Sequence, residues 1–388
     1  MEDFVALDKE YIAGTYGRLP VLFKSGKGSV LVDSDDKEYI DLGSGIAVTA
    51  FGIADDEWVN AVTNQLGRLQ HVSNYYYTHP QAQLAELLCK KTGMKKVFFS
   101  NSGAESNECM IKAARKYGSS VLGYDEPYII TLKNSFHGRT VTTLSATGQD
   151  VFHKDFGPFT KGFVYAQPDS KEDIVNFSKE HNCCAVMIEL IQGEGGVVAL
   201  SKEYVEFLRD FCDKNNMLLL IDEVQTGNGR TGELFCFMNY GIKPDIFSTA
   251  KSLGGGLPIG ATVFGEKTAN ILGAGDHGST FGGNPVCAAG ALSIIGRIDS
   301  DLLAQVRAKS EYIISQLKDA EGVESISGMG LMLGIKTKKE AKQVLKECME
   351  RGVLVLTAKD RVRLVPALNI PQPLLEKAVA VIKDVVSN

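Results

Sequence analysis

One alternation constrains this chain more than any other feature. Between residues 97 and 249, strand-length apolar runs recur with stretches of helical period among them. The runs are V-F-F-S (97–100), Y-I-I-T-L (128–132), A-V-M-I-E-L (185–190), M-L-L-L-I (217–221) and D-I-F-S-T (245–249). Amphipathic segments run from Ala104 to Tyr117 and from Lys202 to Asn215. A strand that is apolar at every position is buried on both faces, and parallel neighbours need a helical crossover to connect them. The alternation therefore predicts an α/β fold whose large domain is a mostly parallel sheet covered by helices.

The flanks follow other rules. Up to about Leu42, V-L-F, S-V-L-V-D and E-Y-I-D-L are separated by K-S-G-K-G and S-D-D-K, a pattern of hairpin turns that predicts a small meander. Helical period begins near Glu57 (Trp58, Val62, Leu66, Leu69) and resumes from Leu84 to Leu88. Beyond Asp299 come a helix, strands near Val323 and Leu331, a helix near Glu340 to Arg351 and a last helix from Gln372. This tail reads as an α+β unit that also needs the meander. The expected division is a segment 1–56 belonging to the small domain, a large domain 57–298 and the rest of the small domain at 299–388.

Composition removes several classes of function. Lysine and arginine number 41 against 47 aspartate and glutamate, a formal charge of −6. That balance lacks the basic field a nucleic-acid binder needs. The opening M-E-D-F-V-A-L-D-K-E-Y has neither a basic n-region nor an apolar h-region, and no apolar run approaches membrane-spanning length, so a cytoplasmic protein is expected. Eight cysteines occur without a C-x-x-C pair and read as buried apolar residues of a reduced compartment. Cys183 and Cys184 would point to opposite faces of a strand. With His181 they lack a second ligand pair, so no metal site is expected.

Ligands of an open parallel sheet bind beyond the carboxyl ends of its strands. M-L-L-L-I runs straight into Asp222, Glu223, Val224 and Gln225. D-I-F-S-T ends at Ala250, and Lys251 follows, with a Gly-rich loop at Gly254 to Gly256 that reads as mobile. V-F-F-S opens onto Ser102-Gly103-Ala104-Glu105-Ser106 at a helix start, where small residues expose N–H groups to an anion. Y-I-I-T-L leads to Ser135-Phe136-His137-Gly138-Arg139-Thr140. Each has a plainer reading: a solvated turn at Asp222, a surface Lys251, a helix cap at Ser102, a core-packing Phe136. Together they supply what pyridoxal chemistry requires: an imine-forming lysine, an acid for the ring nitrogen, backbone donors for a phosphate and an aromatic to stack on the ring. A rival is the G-x-G-x-x-G match at Gly227 to Gly232, a dinucleotide-binding signature. Its context is wrong, because Asp222 to Thr226 separate it from the strand and Glu233 to Tyr240 do not open a convincing helix.

At this point the chain resembles a known family. N-S-G-A-E-S-N-E, S-F-H-G-R-T, I-E-L-I-Q-G-E-G-G, L-L-I-D-E-V-Q-T-G-N-G-R-T-G, A-K-S-L-G-G-G-L-P-I-G-A and H-G-S-T-F-G-G-N-P resemble, in order, the class III, fold type I, pyridoxal-phosphate aminotransferases. T-Y-G-R-L-P-V near the start and R-L-V-P-A-L near the end are most similar to the acetylornithine-type branch, with ornithine, succinylornithine and 4-aminobutyrate transaminases sharing the cofactor residues. The resemblance implies pyridoxal 5'-phosphate as cofactor, N-acetylornithine and 2-oxoglutarate as substrates, and a homodimer. It implies that Lys251 holds the cofactor and shuttles a proton, and that Asp222 pairs with the pyridine nitrogen. Ser102, Gly103 and Ala104 would hold the phosphate, Phe136 and Val224 would flank the ring with His137 beside it, and Gln225 would reach the ring hydroxyl. Thr280 would serve the neighbouring subunit's phosphate. Arg363 would grip an α-carboxylate, Arg139 a second carboxylate or the acyl end, and Glu194 would pair with Arg363 for one substrate and release it for the other. Tyr16 and Ser279 would touch substrate. One departure is visible: the loop at Gly52 reads G-I-A-D-D where the class carries G-H-x-H-P, which bears on packing or the dimer contact.

Overall fold

A computed structural model describes residues 4–388. Residues 1–3, the start of the segment read for a leader, lie outside the described residues. Among the described residues no helix is long and apolar enough to cross a membrane.

The central sheet has seven strands: β1 (Lys96–Ser100), β2 (Tyr128–Leu132), β3 (Phe163–Ala166), β4 (Cys183–Ile188), β5 (Leu218–Asp222), β6 (Ile246–Thr249) and β7 (Gly260–Phe264). Their spatial order is β1-β7-β6-β5-β4-β2-β3. The β2–β3, β2–β4, β4–β5 and β5–β6 pairs are parallel, whereas β7 runs antiparallel to both β6 and β1. The reversal has a local cause. Residues 250–259 between β6 and β7 are too few for a helical crossover, so the chain can only turn back. The apolar-run reading did not pick out β3 or β7. F-V-Y-A is an edge strand and only partly buried, and G-A-T-V-F opens on a glycine.

Both faces of the sheet are buried, as continuous apolar strands require. Val186, Ile188, Leu219 and Ile221 belong to one core cluster. Their neighbours Ala185, Met187, Leu218 and Leu220 belong to another, with Cys109, Met110, Ala113 and Tyr117 of helix Gly103–Ser120 packed among them. Cys183 and Cys184 fall in different clusters, as alternation along a strand demands.

The first and last parts of the chain meet by backbone pairing. The antiparallel meander Phe23–Lys27, Val30–Asp33 and Glu38–Asp41 gains a fourth, parallel strand, Val353–Leu354, with Val353 opposite Ile40. A separate antiparallel sheet contains Val323–Met329, Met332–Thr337, Arg361–Leu364 and Leu356–Ala358. Helices Ala341–Glu350 and Gln372–Ser387 bury Val344, Cys348, Val379 and Ile382. In this sheet Arg363 pairs with Gly334.

Candidate active site

Parallel strands deliver their carboxyl ends to one edge, and there a cavity of about 670 Å³ opens. β1 leads to Asn101–Ala104, β2 to Phe136–Arg139, β4 to Glu189 and Ile191, β5 to Asp222 and Val224–Thr226, and β6 to Ala250 and Lys251, all on the cavity wall.

Asp222 is the last residue of β5 and is 4% exposed. One carboxylate oxygen accepts from Asn107 Nδ2 at 2.7 Å and pairs with His137 Nδ1 at 2.9 Å; the other accepts from Val224 N at 3.0 Å. Asn107 is itself oriented, because Ser248 Oγ donates to its Oδ1 at 2.6 Å. Among the described residues no lysine or arginine forms an ion pair with Asp222. A buried carboxylate costs heavily unless hydrogen-bonded and met by positive charge. The donors are in place, and the cavity is where a cationic group would sit. The solvated-turn reading of Asp222 fails on its burial.

Lys251 follows β6 through Ala250 and takes a left-handed backbone, φ 47°, which is uncommon outside glycine and is found where surrounding structure enforces it. Burial brings its pKa down to about 8, with Glu194 opposing that fall and Arg363 adding to it. The amine is therefore a far better nucleophile near neutral pH than a surface lysine. The glycines after it serve packing rather than the mobility expected of them. Trp58 Nε1 donates to Gly254 O at 3.0 Å. A Cβ on Gly254 would lie 2.0 Å from Leu257 O, and one on Gly255 would lie 2.8 Å from Trp58 Nε1.

Ser102 caps helix Gly103–Ser120 by accepting from Glu105 N at 3.2 Å. The cap and an anion site coexist, since the cap leaves the first-turn N–H groups of Gly103 and Ala104 without an intrahelical acceptor. A Cβ on Gly103 would lie 2.6 Å from Val224 Cγ1, so only glycine lets this helix start close against the β5 loop.

A second polar group adjoins the cavity. Arg363, 3% exposed, donates through Nη1 to Glu194 Oε1 and, at 3.1 Å, to Gln225 Oε1. Burial alone would raise the Glu194 pKa, but the Arg363 charge and hydrogen bond outweigh it and hold the carboxyl below its usual range. Gln225 lines the cavity but turns its amide toward this pair. Arg139 contrasts with Arg363. It lies exposed on the cavity wall, forms no ion pair among the described residues, and stacks its guanidinium 4.1 Å from the Phe152 ring centroid and 5.5 Å from that of Phe136. One arginine is masked and the other is open.

Tyr16 reaches the wall from the N-terminal segment. Ser279 and Thr280 do not line the cavity: Ser279 Oγ accepts from Asn101 Nδ2 at 3.1 Å and Gly282 N at 3.0 Å, and Thr280 is exposed. Glu189, Asn107 and Val48 are among the wall residues to which the sequence assigned no role. Glu189, 7% exposed, accepts from Phe136 N at 2.8 Å, and burial together with the Asp222 charge pushes its pKa well up. Asn107 sits four residues beyond Gly103, on the same helix face, and that spacing could have signalled it. Val48 follows a turn of four consecutive left-handed residues, Ser44 to Ala47 (φ 46°, 61°, 65° and 59°), pinned where Asp41 accepts from Gly43 N and Ser44 N.

Residues 11–386 match the model of the family described as aminotransferase class-III. The chain is 44% identical to Haemophilus ducreyi acetylornithine aminotransferase over 383 residues, 98% of each chain. It is 40% identical to the acetylornithine aminotransferase of Methanocaldococcus jannaschii over 390 residues, 99% of this chain and 98% of that one. Among solved structures it superposes on N-acetylornithine aminotransferase from Stenotrophomonas maltophilia with a TM-score of 0.85 at 33% identity, covering 99% of this chain and 98% of the other. Ornithine aminotransferase from Toxoplasma gondii gives a TM-score of 0.95 at 29% identity, covering 99% and 94%.

Proposed function

The chain belongs to the class-III aminotransferase family, and from that premise we propose that it moves the δ-amino group of N-acetyl-L-ornithine to 2-oxoglutarate by way of pyridoxal 5'-phosphate. The products are N-acetylglutamate 5-semialdehyde and L-glutamate, a step of arginine biosynthesis. The observation that carries this reading is the pair of unlike arginines, Arg363 masked by Glu194 and Arg139 open.

The residues on the wall fit the cofactor. Gly103 and Ala104 would offer N–H groups to its phosphate, with Ser102 beside them. Phe136 and Val224 would flank the ring, with His137 behind, and Gln225 would reach the ring hydroxyl. Asp222, buried and held by Asn107, His137 and Val224, favours a protonated ring nitrogen because an adjacent anion stabilises a cation. When bound, pyridoxal phosphate supplies the carbonyl that takes up the amino group and the ring that withdraws electrons from the reacting carbon. Lys251 would contribute the amine that anchors the cofactor and the base that takes the proton from the δ-carbon.

Two substrates of opposite geometry must share this site. The donor carries its amine far from its carboxylate, so Arg139 holds the distal carboxylate and Arg363 must stay neutralised by Glu194. The keto acid carries a carboxylate beside its reacting carbon, which displaces Glu194 and takes a bidentate grip on Arg363. Tyr16, on the cavity wall, would add a substrate contact, whereas Ser279 lies off this wall. A homodimer agrees with the exposed Tyr75, Tyr77 and Phe281, the last beside Thr280, which would serve the partner's phosphate. The cytoplasm is the proposed location.

A panel of amino donors with 2-oxoglutarate tests the reading. N-acetylornithine should give the highest kcat/KM, and preference for ornithine, succinylornithine or 4-aminobutyrate overturns the donor assignment.

A further inference from the structure

The loop Gly227–Gly232, whose G-N-G-R-T-G imitates a dinucleotide signature, has no part in the chemistry just described, yet it holds the most deeply buried arginine of the fold. Arg230 is 0% exposed and heads the fully buried side chains by volume. Its Nη1 donates to Leu331 O at 3.1 Å and to Pro366 O. Its Nε and Nη2 are buried with no partner, and among the described residues no carboxylate pairs with it. Burial lowers its pKa to about 9.

The two acceptors matter for where they lie. Pro366 is three residues past Arg363 on the same segment. Leu331 forms the turn leading into Met332–Thr337, the strand on which Gly334 pairs with Arg363. The backbone repeats the grip: Leu331 N donates to Arg230 O at 2.9 Å, and a Cβ on Gly330 would lie 2.6 Å from that oxygen. The loop's other end is fastened to the lysine strand. Asn228, in a left-handed backbone at φ 57°, donates through Nδ2 to Thr249 Oγ1 at 2.9 Å and to Ala250 O at 3.3 Å, immediately before Lys251. Gly227 N donates to Glu223 O at 3.0 Å, next to Asp222. One loop thus touches the strand ends bearing Lys251 and Asp222 and the hairpin bearing Arg363.

We propose that Arg230 is a positioning residue that sets Arg363 against the lysine loop, so that productive binding of the dicarboxylic keto acid depends on it. The proposal rests on the role given to Arg363 above. Its physical basis is cost. A buried cation without a counter-charge is expensive, and an apolar side chain of like volume would fill the space at less expense. What the guanidinium adds is a planar fork of donors that fixes two carbonyls from different strands at once.

The test uses the cofactor-loaded enzyme with Arg230→Met, Arg230→Lys and Arg363→Lys. The expected result for Arg230→Met is a KM for 2-oxoglutarate raised on the order of tenfold or more, as a small misplacement of a carboxylate clamp predicts. The single-turnover rate with the amino donor should stay within about twofold, and the cofactor's absorption and circular dichroism bands should be unchanged. Arg230→Lys keeps a cation and a donor and should recover part of the loss; it also carries the test if the Met variant fails to fold. The losses in Arg230→Met and Arg363→Lys should be non-additive. Equal losses in both half-reactions, or additive losses, overturn the positioning role. Loss in Arg363→Lys with none in either Arg230 variant overturns this proposal alone, and an unmoved KM in Arg363→Lys overturns the role of Arg363 and this proposal with it.

Discussion

Replacing Glu194 by Ala separates a switch from a simple structural ion pair. The Arg363 side chain is 4% exposed and that of Glu194 is 29% exposed, so the pair lies at the edge of the interior. Exposed pairs contribute about 0–1 kcal/mol, and breaking a buried one costs about 3–5 kcal/mol. A pair open to water on one partner falls between, at about 2 kcal/mol. In Glu194→Ala, Arg363 keeps Gln225 Oε1 as an acceptor and loses the one carboxylate paired with it among the described residues. An incoming α-carboxylate then need not displace a competitor, and 2 kcal/mol corresponds to roughly thirtyfold tighter binding of glutamate or 2-oxoglutarate. The amino donor suffers the reverse, because an unmasked Arg363 draws its carboxylate to the wrong end of the site. Stopped-flow absorbance in single turnovers resolves the two half-reactions. The glutamate half should hold its rate at lower substrate concentration, and the N-acetylornithine half should slow. The variant should also melt at a lower temperature and be rescued by 2-oxoglutarate, which restores a counter-charge. An equal loss in both half-reactions refutes the switch and leaves Glu194 as a structural partner of Arg363.

Lys251→Ala should abolish turnover while leaving the phosphate and ring contacts, and mixing it with Thr280→Ala chains under subunit exchange should restore activity, since one site of each mixed dimer would be intact; full activity of Lys251→Ala alone sinks the assignment. Asp222→Ala should lose most activity and cofactor affinity, and should cost about 1–3 kcal/mol of stability because the buried donors Asn107 and His137 lose their acceptor; unchanged kinetics would refute its pairing with the ring nitrogen. The lowered pKa of Lys251 has a definite sign: its neutral, nucleophilic fraction grows as pH rises through about 8. Capture of pyridoxal phosphate by cofactor-free enzyme should accelerate over that interval, and a midpoint near the ordinary lysine value of about 10.4 would show that burial does not set it.

What could be read from the sequence alone was local. Continuous apolar runs identified five strands of the sheet and its two-sided burial, because side-chain alternation is a property of the strand itself. Parallel strands put their ends on one edge, so the residues after four of the five runs, Ser102, Phe136, Asp222 and Lys251, could be assigned to one site before any distance was known. The edge strand Phe163–Ala166 is only four residues long, and Gly260–Phe264 opens on glycine and alanine, so neither stood out as an apolar run. Residues whose meaning depends on distant partners were beyond reach. Glu189 resembles any acid after a strand until Phe136 N and the Asp222 charge are placed beside it. Arg230 sits in a formal nucleotide signature whose context already argues against that use, but its role stays hidden until Leu331 and Pro366 close over it. Gly254 and Gly255 suggest a mobile loop until Trp58, almost two hundred residues earlier, is packed against them. Periodicity and capping are set within a few residues of chain. The ionisation of a buried carboxyl, the satisfaction of a buried guanidinium and the need for a missing Cβ are set by atoms that only the folded backbone brings within a few ångströms.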